Sequence, residues 1–131
     1  MDQQSKLMEL QLLQQDFTQL QNNVQTIEQQ LAEVELIKKS LDDFSKQKKD
    51  SESLMALANG IFAEAKILNV KHLLVNVGSN VVVKKTVPET IQLIDEQSKE
   101  LEKYKKQAMD GLNEILVKIQ EIQASFKEKK E

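Results

Sequence analysis

Few residues in this chain could do bond-making chemistry. Among its 131 residues there is one histidine, His72, and no cysteine. A lone imidazole with no acid near it in sequence, opening a β-patterned run, reads as a surface or sheet residue before a base or a metal ligand. Carboxylate pairs such as Asp42-Asp43 and Glu100 with Glu102 occur. Both lie in polar, helix-patterned stretches where water solvates the charge, and only a desolvated pocket would lift such groups into the range of acid–base work. No P-loop, Gly-x-Gly-x-x-Gly or Gly-x-Ser-x-Gly run is present. Without thiols there is neither a disulfide framework nor a thiolate metal site. The residues therefore predict no enzyme and no cofactor. The chemistry that remains is apolar contact with other polypeptide.

Two groups of apolar residues could make that contact. One is the stretch Leu54–Thr86, which reads as four short strands in two hairpins. Leu54–Leu57 and Ile61–Ile67 flank Asn59-Gly60, a two-residue loop suited to a type I′ turn. His72–Val77 and Val81–Thr86 flank Gly78-Ser79-Asn80, with β-branched residues favouring strands. The strands are expected to form a two-sided sheet, with Leu73, Val75 and Val77 on one face and Leu74 with Val82 on the other. It could rest on its own helix ends, with Leu36, Ile37 and Phe44 beneath. Open edges this rich in valine favour pairing with other subunits instead. The interface residues expected are Ile61, Phe62 and Ala63 in the first hairpin, and Leu73, Val75, Val77, Val81, Val82 and Val83 in the second.

The elements that position these strands are two long helices. Leu10, Leu13, Phe17, Leu20, Val24, Ile27, Leu31 and Val34 recur in alternating steps of three and four, a coiled-coil seam. Lys38, Leu41 and Ser45 continue it, and the helix is expected to end in the polar run Ser45–Ser51. Thr86-Val87-Pro88-Glu89 has capping-box spacing with proline in the first turn, and starts the second helix. Its seam runs Ile91, Ile94, Ser98, Leu101, Lys105, Ala108, Leu112, Ile115, Ile119, Ile122 and Phe126. Antiparallel pairing of Leu10 with Ile122, Leu20 with Leu112 and Leu41 with Ile91 keeps the two residue numbers adding to 132. A register one heptad away stays open. The expected organisation is one unit over 1–131, with helices at about 5–48 and 87–128 and hairpins at about 53–86. Its fold class is mainly α, a long antiparallel two-helix coiled coil with two central β-hairpins.

The second apolar group lies where the seams lose their pairing. Phe126 would face Lys6, and Met1, Leu7 and Met8 have no apolar residue opposite. Simple fraying explains this. So does an adaptable surface that grips other proteins, since methionine and leucine repack around varied shapes. On the second reading the gripping residues are Leu7, Met8, Leu10, Ile119, Ile122 and Phe126. The charged tail Lys127–Glu131 is expected to fray.

A formal charge of −3 gives no electrostatic reason to expect nucleic acid or an anionic membrane as partner. No run of eighteen apolar residues suggests a membrane span. Met1–Ser5 lacks the basic-then-apolar build of a signal peptide, so a cytoplasmic location is expected.

The stretch Leu73-Leu74-Val75-Asn76-Val77-Gly78-Ser79-Asn80-Val81-Val82-Val83-Lys84-Lys85-Thr86, followed by Pro88-Glu89-Thr90-Ile91, resembles the α class of the prefoldin family. That family has the same apolar strand, glycine-containing turn, second apolar strand closed by a charged pair, and following helix. Leu54–Lys66 is similar to its first hairpin, although Ala56 and Ala58 stand where the family often has proline and glycine. The resemblance implies an ATP-independent co-chaperone in which two such subunits recruit four β-class subunits. It implies that helix tips hold non-native polypeptides and pass them to a group II chaperonin. A structural coiled coil, a scaffold or filament subunit whose tips bind nothing, would share the fold.

Overall fold

A computed structural model describes residues 2–128. The order is α1 (Gln3–Ser45), β1 (Glu52–Ala58), β2 (Ile61–Lys66), β3 (His72–Asn76), β4 (Val82–Thr86) and α2 (Val87–Glu128). Two long helices thus enclose two β-hairpins in sequence, as the seams and turns predict. The chain falls into two compact units. One consists of the helix segments up to Ala32 and from Lys99, and the other spans Glu33–Ser98. Of the expected tail, Lys129, Lys130 and Glu131 lie outside the described residues, as does Met1.

In the first unit the helix segments run antiparallel. Asp2 caps α1, its carboxylate accepting from the Ser5 N–H at 2.8 Å. Every apolar seam position from Leu10 to Leu31 is half-buried, and so is every seam position from Leu101 to Phe126. Three cross-helix contacts fix the register. Lys6 Nζ lies 5.7 Å from the centre of the Phe126 ring. A Cβ added to Gly111 would stand 3.2 Å from Leu20 Cδ1. Lys105 Nζ reaches Glu28 Oε1 at 3.6 Å. All three agree, within one residue, with pairs adding to 132, so the heptad left open by the sequence is settled.

In the second unit α1 ends at Ser45, a little before the expected 48. There i→i+3 bonds from Lys46 N–H to the Asp43 carbonyl and from Gln47 N–H to the Phe44 carbonyl tighten the last turn. The chain reverses through Asp50, whose φ is 65°. The foot of the first hairpin is tied by Asp50 N–H to the Ile67 carbonyl and Ile67 N–H to the Ser51 carbonyl. Asn69 Oδ1 then accepts from the backbone N–H groups of Lys71 and His72, which turns the chain into β3. Val34 and Val87 are the buried apolar residues, at 7% and 5% exposure.

Three expectations for the strands are corrected. They make two separate two-stranded sheets, β1-β2 and β3-β4, and not one four-stranded sheet. The Asn69 turn redirects the chain before β3 can pair with β2. Positive φ in the first loop is confined to Gly60, at 77°, so Asn59-Gly60 is not a type I′ turn. A register shift between Ala56 and Ala58 accommodates the difference. The two adjacent positive φ angles occur instead at Ser79 (51°) and Asn80 (60°), closed by Val81 N–H to the Gly78 carbonyl at 2.9 Å. Finally, Leu36 and Ile37 do not underlie the strands. They are 66% and 44% exposed.

The capping box forms as its spacing predicts. Glu89 N–H donates to Thr86 Oγ1 at 3.2 Å, and the Thr86 hydroxyl donates to Glu89 Oε1 at 2.9 Å. This bond, with the Thr86 N–H and the nearby Lys85 and His72, holds the Glu89 carboxyl below its ordinary pKa. Such a group stabilises the fold above its unfolded pKa, and the contribution disappears as pH falls through the folded value. Lys38 behaves oppositely. Asp95, which bonds its ammonium at 2.5 Å, raises the lysine's pKa. Its contribution is complete below the unfolded pKa and is lost as pH rises through the folded one. Melting temperature is therefore expected to fall on both sides of a plateau, below about pH 4 and above about pH 10. Glu89→Gln should flatten the acid limb, and Lys38→Met the alkaline limb. Limbs unchanged in these variants would assign the pH dependence elsewhere.

Candidate functional site

The chemical groups singled out in the sequence lie dispersed on the surface. His72 is exposed at the start of β3, opposite Thr86. Asp42 and Asp43 are exposed, with Asp42 paired to Lys46 at 3.2 Å. Glu100 and Glu102 are exposed as well. Among the described residues no cluster of histidine and carboxylate ligands could hold a metal ion. No described helix is long and apolar enough to cross a membrane.

Apolar exposure is extensive by contrast. In the first unit Leu7, Met8 and Leu12 are 54%, 61% and 60% exposed on the N-terminal turns of α1. Periodicity puts them there: each sits off the seam, so pairing the helices cannot cover it. Of the six gripping residues expected, Leu7 and Met8 lie on the surface. Leu10, Ile119, Ile122 and Phe126 are half-buried seam residues, with Lys6 over the Phe126 ring. The exposed apolar residues of the α2 segment are Tyr104, Met109, Leu116 and Val117 instead. Their off-seam positions were the signal that marks them.

The seam lysines have partners that periodicity alone does not name. Lys105 would meet Ile27 in the register above, and its ammonium instead reaches the neighbouring Glu28. In the second unit Lys38, which would meet Ile94, reaches Asp95 and also Glu35. In each case the aliphatic stem lies in the seam and the charge escapes to a flanking carboxylate.

Both hairpins carry apolar side chains on open faces. In the first, Leu54 and Ala56 lie across from Glu64 and Phe62, and Met55 lies across from Ala63. Leu54, Met55, Leu57, Ile61 and Phe62 are all more than half exposed, while Ala63 is half-buried. In the second, Leu73, Val75 and Val83 are half-buried on one face. Leu74 and Val82 are exposed on the other, and Val77 and Val81 are exposed beside the turn. Two-stranded sheets with so much uncovered apolar surface are marginal in water on their own.

A family model described as prefoldin subunit matches residues 13–131. The prefoldin subunit alpha of Archaeoglobus fulgidus is 32% identical over 120 residues, covering 92% of this chain and 88% of that protein. The prefoldin subunit alpha of Thermofilum pendens is 28% identical over 109 residues, covering 83% and 84%. In three dimensions the chain is similar to one from a cryo-EM structure of filamentous PFD from Methanocaldococcus jannaschii. The TM-score is 0.80 at 16% identity, covering 88% of this chain and 95% of that one.

Proposed function

The chain belongs to the prefoldin family, in its α class, and from that premise we propose that it captures non-native polypeptides without ATP and delivers them to a group II chaperonin. The observation that carries this reading is the uncovered Leu7, Met8 and Leu12 on the first turns of α1. A non-native chain differs from a folded one chiefly in the apolar side chains it leaves in water. Burying one such side chain against another is worth about 1.5–3 kcal/mol at most, so one helix end holds a client weakly. Several copies acting on one client multiply that grip by roughly 10²–10⁴ without any tight single site. Weak, repeated contacts also let the client leave, which removes the need for a nucleotide to drive release.

Assembly supplies the copies. The exposed hairpin faces support a role in joining subunits, two of this chain with four of the β class, in the cytoplasm. The test is aggregation of a chemically unfolded protein, followed by light scattering with the full-length assembly and with one lacking residues 1–9 and 120–131. The full-length assembly should delay aggregation and the truncated one should not. If the full-length assembly never delays it, the capture reading is wrong.

A second reading, a filament or scaffold subunit, draws on the exposed hairpins and on the fold it shares with a filamentous relative. Native mass of the chain alone and with a β-class subunit separates the two. A closed hexamer with two copies favours capture, and an open series of masses favours the filament.

A further inference from the structure

The outer face of α1 in the first unit is almost free of charge. From Leu10 to Ile27 the one ionisable residue is Asp16, whereas Lys105–Ile122, the stretch of α2 that pairs with it, contains six. Gln11, Gln14, Gln15, Thr18, Gln19 and Asn22 line a single shallow depression, and all six are exposed. The Thr18 hydroxyl is engaged with the Gln14 carbonyl at 3.0 Å. Among the described residues, the five carboxamides make no hydrogen bond within the chain. Each offers two N–H donors and an accepting oxygen. Leu7 and Met8 lie on the turn before this face, and Leu12 follows Gln11 along the helix.

A solvated helix face is ordinarily kept in water by charge, as the facing α2 segment is. We propose that the carboxamide face of α1 binds the open main chain of an extended, non-native polypeptide beside the Leu7, Met8 and Leu12 patch. The inference rests on the capture role above and adds the group that is recognised. A non-native chain presents to water N–H and C=O groups that have no partner within the chain, whatever its sequence. A carboxamide is the same functional group as a peptide unit and pairs with it reciprocally, donor to acceptor and acceptor to donor. An uncharged face neither attracts nor repels acidic or basic segments, so it adds grip without choosing among clients. Apolar side chains and main chain are the two features every unfolded protein shares, and the two adjoining surfaces match them.

The test uses the assembled full-length protein and two labelled peptides of one extended sequence, the second methylated on its backbone nitrogens. Wild type should bind the unmethylated peptide about fivefold more tightly, the effect of about one net hydrogen bond. Gln11→Ala, Gln15→Ala, Gln19→Ala and Asn22→Ala combined should bind both peptides equally, with helix content unchanged because alanine is a strong helix former. The inference is overturned if wild type shows no preference, or if the preference survives in the variant. It is overturned in favour of a second copy of the chain if the variant's native mass changes. Wild type that binds neither peptide and does not delay aggregation overturns the capture role itself.

Discussion

Val34→Asp is expected to cost about 3–4 kcal/mol of stability, while Leu36→Asp two residues further on should leave the melt nearly unchanged. Val34 is 7% exposed and Leu36 is 66% exposed. Removing the buried valine forfeits about 1.5–2 kcal/mol of apolar transfer, and a carboxylate in its place has lost its water. At Leu36 the new carboxylate stays in water. The measurement is thermal unfolding followed by circular dichroism, with a midpoint shift on the order of 10 °C for the first variant. Equal shifts in the two variants would mean that helix pairing is not where the stability resides.

Phe62→Asp combined with Val82→Asp is expected to abolish assembly while leaving both helices formed. The two side chains are 58% and 56% exposed, one in each hairpin, so neither substitution removes core packing. Interfaces concentrate their energy in a few such anchors, each worth about 2 kcal/mol or more when truncated. Losing two, with a charge left at each site, should weaken association by roughly 10³-fold or more. Native mass of the variant, alone and mixed with a β-class subunit, reports the outcome. A mass equal to that of the parent would show that these faces are not the joining surface.

Both experiments start from features of different legibility. The helices were readable because coiled-coil packing imposes one rule on residues far apart in sequence. Leu10 and Ile122 obey the same three-four alternation, and the constant sum of paired numbers anticipates the Lys6–Phe126 contact. The start of α2 was readable because the Thr86–Glu89 box is local. The turns were not. Asn-Gly is the stronger type I′ signal, yet the paired positive φ angles stand at Ser79 and Asn80. Register shift in β1 and the cross-loop bonds of the second hairpin decide the outcome, and composition carries neither. Nor could alternation along a strand show that β2 and β3 stay unpaired. Position alone marks Leu12 and Leu116 as off the seam, but an apolar letter does not reveal whether anything covers it.

The paired seam lysines have a consequence for choice of partner. Within one chain, Lys38 finds Asp95 and Lys105 finds Glu28, because the helices run in opposite directions. Were two copies to align in parallel and in register, each seam lysine would sit against its own twin, with like charges pressed together between two hydrophobic layers. That arrangement is penalised twice over. The lysines that weaken the seam therefore also favour pairing of α1 with α2 of its own chain over pairing with α1 of a neighbour.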